Sequence, residues 1–127
     1  MRPRDHSALI ASLDGVPTGL LTYVVTGDAC EILTLHAVEA WHGTGTALVE
    51  ALRPMAVAAG CRTIWVVTTN DNIDALRFYQ RRGFRIRAVR PGAVDEARRH
   101  LKPEIPAVGD HGVPLRDEIE LEERLPD

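Results

Sequence analysis

The sequence predicts a mixed α/β fold with the element order β-β-β-α-β-α-β-(α)-β, and three observations predict it. Short alternating runs joined by tight-turn dipeptides fill the first 38 residues. From Ala47 the apolar residues change to a helical period. A near-continuous β-branched run over residues 63–69 then reads as a strand covered on both faces. Strands, helix and strand in that order make one mixed sheet with helices packed on it.

The first strand is predicted at residues 7–13 and ends at Asp14-Gly15, a pair that tolerates positive φ and so closes a hairpin. Residues 17–26 return as the second strand, and Gly27-Asp28 turns again. Residues 30–38 form the third, with Glu31, Leu33, Leu35 and Ala37 expected on one face and Ile32, Thr34 and His36 on the other. Ala47, Leu48, Ala51, Leu52, Met55, Ala56 and Ala59 make the stripe of the first helix, and Gly60 stops it. Pro54 predicts a kink or break, because it cannot donate to the carbonyl of Glu50. The strand over 63–69 is expected to run parallel to the third, through a right-handed crossover. Asp71 or Asn72 caps a second helix that runs to Arg82. A strand over 84–89, a short charged helix over 93–100, a loop over 102–114 and a last strand over 115–121 or 115–123 complete the chain.

The 127 residues suit one domain, spanning 1–127. With 45% hydrophobic and 26% charged residues and a net charge of −3, the chain lacks the basic patches of a nucleic-acid binder. No apolar run is long enough to cross a bilayer or to serve as a signal peptide, so no membrane partner is expected and the default location is the cytoplasm. Cys30 and Cys61 are the only cysteines and read as small buried or half-buried thiols. No metal site is read.

The segment His42-Gly43-Thr44-Gly45-Thr46 lies between a strand and a helix. The first N–H groups of a helix have no internal partner, and its dipole adds partial positive charge. Such a loop suits a phosphate or pyrophosphate, although two glycines alone also describe an ordinary turn. Neither the dinucleotide nor the P-loop fingerprint fits. Further on, Tyr79 falls near the end of the second helix, beside Phe78 and one turn after Ala75. Taken alone it is equally a core aromatic.

Together the two segments resemble the GNAT superfamily of N-acetyltransferases. Residues 40–45 resemble its nucleotide-loop motif, Arg/Gln-x-x-Gly-x-Gly/Ala, except at Ala40. Residues 72–84 fit its second motif, Asn-x-x-Ala-x-x-Phe/Leu-Tyr-x-x-x-Gly-Phe, at every position. The resemblance covers roughly residues 7–90. It implies two central parallel strands that splay apart and acetyl-CoA as co-substrate. The pantetheine would pair with the backbone of the Leu35-His36-Ala37 segment, through Leu35 and Ala37. The pyrophosphate would sit on the N–H groups of His42, Gly43, Thr44, Gly45 and Thr46, and Asn72 would hydrogen-bond the cofactor from the other side.

The implied reaction is direct attack of a primary amine, on a small molecule or a peptide, on the thioester. A strand N–H near Leu35 would stabilise the oxyanion. Tyr79 would protonate the departing thiolate. Glu31, placed by alternation with Leu33 and Leu35, is the candidate base, directly or through water. The alternative reading is a CoA-binding module without catalysis. Family members usually begin with a strand and helices that wall the acceptor site, whereas about six residues precede the first strand here. Either residues 92–114 or a second subunit, as a homodimer, would supply that wall.

Overall fold

The computed structural model describes residues 7–38 and 43–126. Three strands, β1 (Ser7–Leu13), β2 (Val16–Thr26) and β3 (Ala29–Ala37), are followed by α1 (Thr44–Ala58), β4 (Thr63–Thr69), α2 (Ile73–Arg81), β5 (Arg85–Arg90), α3 (Ala93–His100) and β6 (Glu118–Arg124). The strands form one six-stranded mixed sheet in the order β1-β2-β3-β4-β6-β5. The described residues fall into two compact units, within Met1–Trp65 plus Arg124–Asp127 and within Val66–Glu123.

In the first unit β1, β2 and β3 form an antiparallel meander. Its first turn is made by Asp14 and Gly15, both at positive φ (52° and 79°), as the dipeptide predicts. One face of the meander packs on α1. A Cβ added at Gly19 of β2 would press on Thr44 and Leu48 of α1, so the bare glycine lets the helix lie close. Leu21, Cys30, Ile32, Leu48, Val49, Leu52 and Ala56 are the buried residues of this layer.

Two expectations about α1 change. The buried stripe is Leu48, Val49, Leu52 and Ala56, while Ala51 and Ala59 are exposed and Met55 is 42% exposed. The alanine-rich surface made the apolar stripe look broader than the packed one. The helix also runs through Pro54 without a break. Pro54 and Glu50 both lie on the solvent side, where water can take the place of the missing donor.

A β-bulge changes the reading of β3. Thr22 pairs with Thr34 but Tyr23 pairs with Ile32, which leaves Leu33 as the extra residue. Directly paired residues share a face, so Glu31, opposite Val24, lies on the same face as Thr34 and His36, opposite Thr22 and Leu20. Leu35 pairs with Leu21 on the α1 side. Simple alternation had put Glu31 with Leu35 and away from His36; one inserted residue reverses that parity.

In the second unit β5 and β6 pair antiparallel, with Arg87 bulged. Glu120 of β6 is buried and accepts from Arg87 Nε and Arg90 Nη2, each at 2.5 Å. Burial pushes its carboxyl up, and these guanidinium hydrogen bonds outweigh that and hold it below the usual range. β6 begins at Glu118, three residues later than predicted, because the backbone of Arg116 and Asp117 is engaged elsewhere.

Candidate active site

The anion loop enters the structure at Gly43. His42 and Ala40 lie outside the described residues. Gly43 is the N-cap of α1, in the left-handed region at φ 69°, with no side-chain cap and no acidic residue in the first turn. The first helical hydrogen bond is Ala47 N–H to the Gly43 carbonyl, 2.9 Å. The N–H groups of Thr44, Gly45 and Thr46 therefore come before the helical ladder begins, as an anion site requires.

At the end of β3 the backbone groups alternate between β2 and the opposite side. Val38 N–H donates to the Thr18 carbonyl at 2.8 Å. Antiparallel alternation then gives His36 the next hydrogen-bonded position on β2 and turns the N–H and C=O of Leu35 and Ala37 away from β2. Those are the two residues expected to offer their backbone. His36 spends its backbone on β2, so it offers a side chain rather than a backbone amide. That side chain is exposed, in a cross-strand row with Ile10 and Leu20. A cavity of about 360 Å³ opens there, bounded also by Pro17 and Val38.

In the second unit the motif over residues 72–84 has a local explanation. Asn72 is the N-cap of α2, its Oδ1 accepting from Ala75 N–H at 3.1 Å. Gly83 ends the turn at φ 99°, a conformation that favours glycine. Between them Tyr79 is only 5% exposed. Its ring meets Phe78 and Phe84 edge-on, at centroid distances of 5.1 and 5.2 Å. Burial pushes its phenol up to about 12, so it stays protonated across the physiological range.

Asp71, the other capping candidate, does something else. It is buried, and its carboxylate accepts from Thr69 Oγ1 and from Asp110 N–H (2.9 Å). Burial raises its carboxyl, but these hydrogen bonds, its own backbone N–H and nearby His111 together hold it below its usual value. Asn70 beside it donates to the Pro114 carbonyl (2.7 Å) and accepts from Arg116 and Asp117 N–H (3.0 and 2.9 Å). From α3, Arg98 donates to the carbonyls of Ile105, Pro106 and Leu115 and pairs with Asp95. The segment over 102–117 is thus a fastened strap. Sequence reasoning missed Asp71, Asn70 and Arg98 as its fasteners. The only signal was the run of short polar side chains Thr68-Thr69-Asn70-Asp71-Asn72 at a strand end.

Cys30 and Cys61 are both buried free thiols. Burial, and then Cys61 nearby, pushes Cys30 up to about 12, which leaves it an inert core group. Among the described residues no cluster of His, Cys, Asp and Glu could hold a metal ion. No described helix is long and apolar enough to cross a membrane.

Comparison with known proteins gives a consistent picture. Residues 1–84 match the acetyltransferase (GNAT) family. Bacillus subtilis (strain 168) YdhI is 48% identical over 101 residues, covering 80% of this chain and 62% of that protein. YxbD of the same organism is 44% identical over 112 residues, covering 88% and 70%. The chain thus spans about two thirds of the length of these relatives. A Bacillus subtilis acetyltransferase solved in complex with CoA superposes with a TM-score of 0.82 at 25% identity, over 95% of this chain and 78% of that one. A GNAT family acetyltransferase from Elizabethkingia anophelis with acetyl-CoA bound gives 0.81 at 20% identity, over 94% and 76%.

Proposed function

Because the chain belongs to the acetyltransferase (GNAT) family, we propose that it moves an acetyl group from acetyl-CoA to a primary amine by direct attack. The observation that carries this reading is Tyr79, a buried phenol in the family's second motif that holds its proton to about pH 12. Support for the co-substrate comes from the uncapped start of α1, which suits a pyrophosphate, and from the Leu35 and Ala37 amides turned away from β2.

In this reading the amine nitrogen attacks the thioester carbon and the carbonyl oxygen becomes an oxyanion, held by a backbone N–H near Leu35. The intermediate collapses, the C–S bond breaks, and Tyr79 donates its proton to the sulfur. Tyr79 recovers a proton from the new amide nitrogen. An ordinary thiol titrates near ~8.5, so a phenol near 12 is a weak acid for a solvated thiolate. Excluding water raises the thiolate in the same way as it raises the phenol, which brings the two closer. Before attack, the ammonium must lose a proton. Glu31 and His36, together on one face of β3 after the bulge, are the groups that can take it. Asn72, already capping α2 through Oδ1, keeps its Nδ2 for the cofactor.

The test is Tyr79→Phe. Turnover should fall by about 10²–10⁴ while acetyl-CoA affinity by calorimetry is retained. Unchanged turnover removes Tyr79 from the chemistry. Retained binding with no turnover in the unmodified protein, across a broad amine panel, points instead to a non-catalytic CoA-binding module.

A further inference from the structure

Resting on that acetyltransferase reading, we infer that the cavity on the open face of the meander takes the apolar body of the acceptor, and that His36 takes the proton of its ammonium. The acceptor class this assigns is a monoamine carried on an alkyl or aryl group.

The cavity, about 360 Å³, is large enough for a phenylalkyl or medium alkyl group. Its wall is built from Ile10, Leu20 and Val38, which are 64%, 36% and 74% exposed, together with Pro17. Apolar side chains left open to this extent around one concavity favour an apolar occupant. Among the described residues that line it, His36 is the titratable side chain. Among the described residues no carboxylate lines it, which favours an acceptor with a single ammonium over polyamines and aminoglycosides.

His36 sits between Leu35 and Ala37, the two residues proposed to pair with the pantetheine of acetyl-CoA, and next to the proposed oxyanion donor near Leu35. An imidazole is the side chain that most readily accepts and releases a proton near neutral pH. Facing it, β1 contributes Ile10 and β2 contributes Leu20, neither of them titratable. Glu31 shares the face but lies four paired steps away, about 13 Å along the strand at ~3.3 Å per residue.

The proton balance closes. The ammonium gives one proton to His36 and becomes a neutral amine. The amine's lone pair forms the C–N bond as the C–S bond breaks, and the second proton ends on the CoA sulfur by way of Tyr79. His36 then releases its proton to solvent. The products are the N-acetyl amine, CoA thiol and one proton.

The experiment is a thiol-release assay with acetyl-CoA and three acceptor classes: phenylethylamine and hexylamine, spermidine, and kanamycin. Release with the first class at a kcat/KM at least tenfold above the other two is the expected result. Release with the polycations alone overturns the inference and leaves the acetyltransferase reading standing; no release with any acceptor overturns both. His36→Gln should lower kcat/KM for the apolar amine by about 100-fold or more, with acetyl-CoA affinity unchanged. His36→Gly should recover part of the loss when imidazole is added, which a merely structural role would not allow. Ile10→Ser should raise KM for the apolar amine by about tenfold with little change in kcat. An unaffected His36→Gln enzyme, with activity lost instead in Glu31→Gln, overturns the base assignment.

Discussion

The open face of the β1–β3 meander and the strap over residues 102–117 are both exposed to solvent, yet their side chains are committed differently. On the meander, Ile10, Leu20 and His36 form a row that borders a cavity. On the strap, the carbonyls of Ile105, Pro106, Pro114 and Leu115 and the N–H groups of Asp110, Arg116 and Asp117 are all taken by side chains from Asn70, Asp71 and Arg98. A segment with little regular structure is held by three polar residues, while a regular sheet leaves one end of a face, at Ile10, Leu20 and His36, open. Regular hydrogen bonding satisfies a backbone but does not say what covers its faces; an irregular segment needs each polar group satisfied individually.

The largest effect should come from cutting the strap at its buried fastener. Asp71→Ala leaves the Thr69 hydroxyl and the Asp110 N–H without their acceptor and should cost about 2–3 kcal/mol in denaturant unfolding. Gly109 is coupled to it, because a Cβ there would overlap the Asp71 carboxylate. Gly109→Ala should cost about 1–3 kcal/mol in the natural sequence and clearly less on the Asp71→Ala background. Additive costs would show that the carboxylate does not occupy that space. The sign of the pH dependence follows from the direction of the shift. Asp71 is held below its unfolded value, so its contribution is present above about pH 4 and is lost as pH falls through the lowered folded value. Asp71→Asn should flatten that acid loss.

Arg98 comes next. It is partly exposed, so its hydrogen bonds to three strap carbonyls are discounted for solvent. Arg98→Ala should cost about 1–2 kcal/mol, and amide exchange should speed up over residues 105–115 more than over β1–β3. Uniform acceleration across both regions would mean that the guanidinium supports the whole chain and not the strap.

These two regions also mark where the sequence was legible. The meander, the helices and the β-branched strand follow from period and turn chemistry, and their bounds fall within three residues of expectation, the largest difference being the start of α1 at Thr44, inside the segment read as loop. The motif residues are readable because their reasons are local: Asn72 caps, Gly83 turns, Tyr79 buries. The bulge at Leu33 was not readable. It arises from how β3 registers against β2, a pairing that no single-strand pattern encodes, and it moved Glu31 to the face of His36. The strap fasteners were hidden for a related reason. Arg98 and Ile105 are close enough in sequence to guess, but Asp71 reaches Asp110 across 39 positions, and only the folded chain brings them together.

The smallest expected effect is on the open face. Leu20 is 36% exposed, while its neighbour Leu21, on the α1 side, is fully buried. Leu20→Ser should therefore change unfolding stability by no more than about 0.5 kcal/mol, although it alters the wall of the cavity. The near-zero value carries the information. A cost above about 1 kcal/mol would mean that Leu20 is covered in solution, and the contrast between an open end of the sheet face and a fastened strap would fail. A negligible cost, combined with a weakened KM for an apolar amine, would mean that the side chain is spent on the acceptor and not on the fold. Stability and affinity then separate at one residue, which a core leucine could not show, because there both would fall together.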